Sequence, residues 1–499
     1  MRKVLVWIVV IALILIGLKV YWDFVKKGHI VVAQIKDDLS EDNLNYVDEP
    51  SWLVYQALKL LSPPLIEYKA NCYPYSKILS EIPSKENNLM FQQDQKTVII
   101  LLKKNLKMST PINVFITLRL LNLDVISNKW VYINVAEAID SVQKIGDEDV
   151  RITYKTALSL PYFPFPILFD GYEQYEQEIL SYKINKNFTK FPRYSQYDLL
   201  TSQSNIFVVS SKKTRITFKN YLSVENFLKD LPQIDLARVP TKLKIYISRN
   251  LPQNYKIITL PDKEMYFIFF NPNLSKETRM KIYLAFLQEL QKYDLRDYQI
   301  TTSYILPYHF ASYSLKLQEN IKVVQNKQNQ KKQVEDLKVL IAYTKSTGKE
   351  VSSLISEIFT KYLNSDTVIV NLEKELPKRS IFGFEEEKPE PLIKYVIQPY
   401  NFDLIISPIT FTPYMNYYLI YSKQGKYNIF SVSNNKIEDL LNQIMQGFDS
   451  KQKDLLIQLQ KELEKQFLIV PIMINTQTFV LNKSVEEIIK VGPTGIDIP

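Results

Sequence analysis

The sequence predicts a mixed α/β chain built largely on parallel sheet. Three observations carry that prediction. Apolar, β-branched runs alternate with amphipathic helical stretches, the order that covers a parallel sheet on both faces. A strand–helix–strand unit is legible between Leu337 and Glu373. The 499 residues, 46% hydrophobic and 23% charged, are globular in composition and enough for two or three domains.

The chain opens on "MRKVLVWIVVIALILIGLKVYWDFVKK", where an apolar run from Val4 to Trp22 is interrupted only by Lys19. About 20 residues at ~1.5 Å each span the ~30 Å of bilayer hydrocarbon. Lys19 sits where its stem can snorkel, and Trp7, Tyr21 and Trp22 suit the interfaces. A cleaved signal peptide is the rival reading, but bulky "GLKVYWDF" follows where a peptidase wants small residues. An uncleaved anchor over residues 1–27 is expected, with the remaining chain on the extracytoplasmic side of a cell membrane.

Beyond the anchor, "HIVVAQI" (His29–Ile35) reads as a strand and Pro50–Leu61 as a helix. Lys96–Leu106 reads as a strand, Thr110–Asn122 as a helix with Pro at its first position, and Asp149–Thr156 as a half-buried strand. Tyr162–Tyr197 is aromatic, Pro-punctuated and irregular. Ser204–Tyr221 reads as two strands, and Ser223–Leu231 as a short helix capped by Ser223. Lys242–Ser248 and Glu264–Asn271 are expected strands, and Ser275–Tyr293 an amphipathic helix with Ser275 as its cap. Strand, helix and strand then follow from Leu337 to Glu373, and Asn401–Ile409 is a further apolar strand. A helix over Leu455–Gln466 leads into "FLIVPIMINTQTFVLNK", a late strand with a proline inside it.

Composition narrows the function. The charge of +9 is dispersed among alternating Lys and Glu, and the densest basic run, Asn326–Gln333, reads as a solvated linker, so nucleic-acid binding is not expected. No Gly-rich phosphate loop occurs among the 10 glycines. One cysteine, Cys72, and two histidines, His29 and His309, give no zinc spacing, so neither metal nor cofactor is expected. No Ser or Cys sits in a nucleophile motif, so the chain is not expected to be an enzyme.

Several pieces, in one order, resemble a known family. They include "VYQALKLLSPPLI" (Val54–Ile66), the stretch Ser76–Leu121, "FLKDLPQIDLARVP" (Phe227–Pro240) and "MYFIFFNPNLSKETRMKIYLAFLQEL". "NFDLIISPITFTPYMNYYL" and the closing "DLLIQLQKELEKQFLIVPIMINTQTFVLNK" complete the set. Together these resemble the extracellular solute-binding proteins of family 5, the oligopeptide-, dipeptide- and nickel-binding components of ABC importers. The resemblance implies a two-lobed periplasmic-binding-protein type II fold with an extra inserted domain, preceded here by the single transmembrane helix. Lobe I is expected over 28–52, 166–262 and 472–499, the insert over 53–165, and lobe II over 263–471. A peptide or similar small solute would sit between the lobes of a monomer, with ABC permease subunits as partners. A sensor or scaffold that reuses the fold without transport is the alternative.

Ligands sit beyond the carboxyl ends of such strands, which points to the loop "SPITFTPYMNYY". It lacks the Trp and acidic residues usual in the family, and leaves Thr410, Phe411, Tyr414 and Asn416 as candidate pocket groups. Asn271, Asp403 and Pro471 are expected in structural or hinge roles, with Pro471 where no ladder donor is needed.

Overall fold

The structure is a computed structural model, and it describes residues 28–35, 52–61, 66–84, 86, 87, 89, 97–103, 139–145, 149–154, 198–203, 206–211, 214–295, 297–313, 337–343, 346–371, 399–411, 417–425, 427–445, 450–493 and 495–497. The apolar run within residues 1–27, the expected helix Thr110–Asn122 and the stretch Tyr162–Tyr197 lie outside these residues. Among the described residues, no helix is long and apolar enough to cross a membrane.

Strand β1 (His29–Ile35) opens the described chain, and helix α1 (Trp52–Leu61) follows. Strands β2 (Glu67–Tyr68) and β3 (Pro74–Tyr75) make a small hairpin. A separate antiparallel sheet holds β4 (Thr97–Leu101), β5 (Ile139–Ile145) and β6 (Asp149–Tyr154), with β6 in the middle. Then come β7 (Asp198–Gln203), β8 (Ile206–Ser210) and β9 (Arg215–Tyr221). Helix α2 (Val224–Asp230) starts at Ser223, whose Oγ accepts the Asn226 amide at 3.3 Å. Strand β10 (Leu236–Val239) and helix α3 (Lys244–Arg249) precede the long β11 (Tyr255–Phe270).

Helix α4 (Lys276–Leu290) is capped by Ser275, whose Oγ accepts the Thr278 amide at 3.1 Å. After β12 (Tyr298–Ile300), the unit β13 (Leu337–Tyr343), α5 (Ser346–Leu363) and β14 (Ser365–Asn371) has its two strands parallel, as the sequence predicts. Strand β15 (Leu404–Thr410) is followed by the short α6 (Tyr418–Tyr421), α7 (Asn435–Met445) and α8 (Gln452–Gln466). The late strand is β16 (Ile469–Asn482), and the hairpin β17 (Lys490–Gly492) and β18 (Gly495–Asp497) ends the described chain.

One expected strand is a helix. Lys242–Ser248 alternates polar and apolar residues, but forms a 3₁₀ turn (Thr241–Leu243) running into α3. Leu243, Ile247 and Leu251 pack toward one core at the i, i+4 spacing of a helix, while Ile245, the strand pattern's other inward residue, is exposed. Burial of the longer-period set overrides a short alternation.

The main sheet runs in the order β14-β13-β15-β11-β16-β10-β1-β9-β8-β7, with β12 also on β16. Two groups of apolar residues flank it. One gathers β11 from Met265 onward, β13, β15, α4, α5, α7, α8 and β16 up to Ile474. The others gather β1, α1, β8, β9, β10 and β16 from Phe479 onward. Among the described strands, β11 and β16 alone continue between these groups, paired from Phe269–Ile469 to Tyr255–Asn482. The late strand therefore crosses from one core to the other.

Candidate functional site

Strand direction locates the site. β1 is parallel to β9 and β10, and β10 is antiparallel to β16, with Leu236 opposite Leu481 and Val239 opposite Thr478. The carboxyl ends of these strands thus point toward the crossing. On the other side, β13, β14 and β15 are parallel to one another, and β15 is antiparallel to β11, with Leu404 opposite Phe270 and Thr410 opposite Glu264. Their carboxyl ends also point to the crossing. Strand ends from both halves therefore converge on one short segment of two strands, the position where open α/β sheets bind ligands.

The crossing is polar. β11 reads Asp262-Lys263-Glu264 there, and these three residues face only Asn475 between the Pro261–Thr476 and Met265–Ile474 pairs. Such an excess of residues on one strand bends it and turns side chains out of the ladder. Asn475 closes the bulge: its Oδ1 accepts the Glu264 amide at 2.8 Å and its Nδ2 lies 3.5 Å from Asp262 Oδ2. The Tyr308 hydroxyl donates to the Asp262 carbonyl at 3.1 Å. Burial raises the Tyr308 phenol well above its ordinary range, with Cys72 and Asp262 adding to it, so it stays a donor. Arg238 Nη2 reaches Asp262 Oδ2 at 3.3 Å, and its guanidinium lies 5.8 Å from the Trp52 ring.

Thr410 is exposed at the end of β15, beside the crossing. Phe411 is fully buried: its ring stacks on Phe267 at 5.7 Å, and its amide donates to the Lys263 carbonyl at 2.7 Å. It fixes the start of the loop to the crossing. Tyr414 and Asn416 lie outside the described residues.

The other sequence candidates sit away from the crossing. Asp403 Oδ2 accepts the Lys338 amide at 2.9 Å, and the Asp403 carbonyl accepts the Asn271 amide at 2.9 Å, so this residue, by side chain and backbone together, ties β13, β15 and β11. Asn271 donates to the Phe402 carbonyl and accepts the Asn273 amide, both at 3.0 Å. Both bond backbone groups at the end of β11 remote from the crossing. Pro471 faces Phe267 beside a register shift, an irregular position of the kind that accommodates proline within a sheet. Its carbonyl accepts the Tyr283 hydroxyl at 2.7 Å. Arg238, Asp262, Asn475, Trp52 and Tyr308 escaped the sequence reading. The only one-dimensional signal was the polar "PDKE" breaking an apolar strand.

Among the described residues no group of three or more His, Cys, Asp or Glu is placed to hold a metal. His309 is buried and stacked on Phe310 at 4.4 Å, and desolvation pushes its pKa down to about 3. Burial pushes the Cys72 thiol up to about 12.

No protein-family model and no curated protein matches the sequence. Solved structures do. The periplasmic murein-tripeptide-binding protein MppA, in its unliganded open form, has a TM-score of 0.67 at 13% identity, covering 94% of this chain and 97% of that one. A nickel ABC transporter protein from Bacillus halodurans has a TM-score of 0.60 at 13% identity, covering 92% and 95%. The oligopeptide-binding protein AppA from Bacillus subtilis, with a bound nonapeptide, has a TM-score of 0.55 at 14% identity, covering 91% and 94%. This chain has the solute-binding-protein fold. The family-5 resemblance in the sequence is met at the level of the fold, over nearly the whole length.

Proposed function

We propose that this chain is a solute-binding protein of an ABC importer, anchored by residues 1–27 with its body outside the membrane. It captures a peptide or similar small solute between lobe I (28–52, 166–262 and 472–499) and lobe II (263–471), with the inserted domain within residues 53–165, beyond helix α1, which packs on lobe I. One observation carries this reading: parallel strands of both halves aim their carboxyl ends at the single crossing of β11 and β16. Solved neighbours with bound ligand support it, for they hold a nonapeptide in AppA and Met-Leu in a Pseudoalteromonas dipeptide-binding protein. In this reading Thr410, Tyr414 and Asn416 line the lobe II wall over buried Phe411. The solute is bound, the lobes close, and the cargo passes unchanged to permease subunits; the binding protein acts as a monomer.

The test is direct. The full chain, purified in mild detergent, is examined by mass spectrometry for co-purifying small molecules and by thermal shift against a peptide library. A ligand at 100 times its Kd adds about 2.7 kcal/mol of stability, enough to move the melting temperature measurably. A co-purifying peptide or a clear shift is expected. Absence of both across the library would leave the sensor or scaffold reading in its place.

A further inference from the structure

We propose that Arg238 recognises a carboxylate of the bound solute. The inference rests on the solute-binding reading and adds a chemical requirement to it.

Side chains alternate along β10. Ala237 and Val239 join one apolar cluster, and Leu236 joins the other, on the face that Trp52 and Phe479 also cover. Arg238 shares the Leu236 face, on a strand paired on both sides by β1 and β16. A guanidinium in the middle of such a face would be costly to desolvate. Arg238 instead occupies the last position of that face, one residue from the carboxyl end, and its side chain is 28% exposed. It therefore emerges at the edge of the core, where the two halves meet.

Its described surroundings hold it in place and engage one of its donor nitrogens. Asp262 engages one nitrogen, Nη2, from one side. Asp262 is itself fixed, through its carbonyl by Tyr308 and beside Asn475, so the ion pair has a set geometry. Trp52 supplies an aromatic surface for the guanidinium plane. The Arg238 guanidinium makes no other hydrogen bond among the described residues, and a guanidinium carries five donors in a fixed fork. The fork matches a carboxylate in two-point contact.

Asp262 already neutralises Arg238, so discrimination comes from the geometry of the fork. Roughly tenfold selectivity is expected, the scale of one charge-assisted hydrogen bond. The carboxylate has two possible sources, a peptide C-terminus or an acidic side chain.

Both sources are separated by a library of tri- to pentapeptides made as free acids and as C-terminal amides, with and without Asp or Glu. Binding to the full chain in detergent is measured for wild type, Arg238→Gln, Arg238→Lys and Asp262→Asn. Wild type is expected to favour carboxylate-bearing members about tenfold. If free acids win without Asp or Glu, the source is the C-terminus; if amides with Asp or Glu bind equally well, it is the side chain. Arg238→Gln should erase the preference, and Arg238→Lys should restore only part of it. Asp262→Asn releases the guanidinium and should enlarge the preference, which decides the matter if Arg238→Gln fails to fold. Binding indifferent to carboxylates, a preference surviving Arg238→Gln, or no gain in Asp262→Asn overturns the role of Arg238 and leaves the solute-binding reading standing. No binding of any member overturns both.

Discussion

His309 is a base that burial has made unable to act as one. Its ring stacks on Phe310, and its Nδ1 accepts the Ala311 amide at 3.2 Å. Desolvation holds its folded pKa at about 3, below the ordinary 6.5. Between those values the unfolded chain binds a proton that the folded chain refuses. Stability from this residue is complete above about pH 6.5 and falls as pH drops toward 3, by up to about 1.4 kcal/mol per pH unit. Urea unfolding at pH 7.5, 5.5 and 4.5 should show that loss, and His309→Gln should flatten it; an unchanged slope in the variant would refute the assignment. Tyr283 offers a second test. Its buried hydroxyl holds the Pro471 carbonyl, so Tyr283→Phe strands an acceptor inside the core and should cost about 1–2 kcal/mol in the same assay. Pro471 was expected from the sequence at a point needing no donor, and it lies beside a register shift. Its carbonyl's use was not expected, because Tyr283 is remote along the chain.

Elements were legible where one pattern dominated. Strand β1 has the bounds read from its β-branched run, and Ser223 and Ser275 cap the helices they were expected to cap. Ser275→Ala should therefore lower stability by about 1 kcal/mol, and Ser275→Asp should retain most of it, measured by chemical unfolding. Patterns failed where burial came from elsewhere. In "KLKIYIS" the alternation was real, but the neighbouring core accepted Leu243, Ile247 and Leu251 instead. Strand β11 is longer than Glu264–Asn271 because its first half follows β16 into the second core, and most of its residues there are only half-buried. The candidate site was least legible. Thr410 could be read from the strand-end rule. Arg238 and Asp262 belong to different elements, and the antiparallel pairings of β10 and β11 on either side of β16 bring them together.

At the scale of the molecule, the division between cores determines where motion is cheapest. Met265–Phe270 and Ile469–Ile474 are packed tightly in one core, with all six β11 residues at 1% exposure or less. Phe479–Leu481 belong to the other clusters. Between them stand Asp262, Lys263, Glu264, Asn475, Thr476, Gln477 and Thr478, which contribute no apolar side chain to either core. Bending the two halves at this point would act on an irregular ladder segment whose side chains belong to neither core, the arrangement expected of a hinge. A solute contacting both halves would favour whichever arrangement gives it more contacts, and would shift the population by that difference. Paired spin labels measure the shift. Ser248→Cys on α3 and Lys361→Cys on α5 place one exposed label on each half. The native Cys72 is buried, with its thiol pushed up to about 12, so it should resist labelling under the same conditions. On adding a bound peptide, the distance distribution should move by several ångström and narrow. An unmoved distribution at saturating ligand would show that the crossing is a rigid junction and that solute is held without closure.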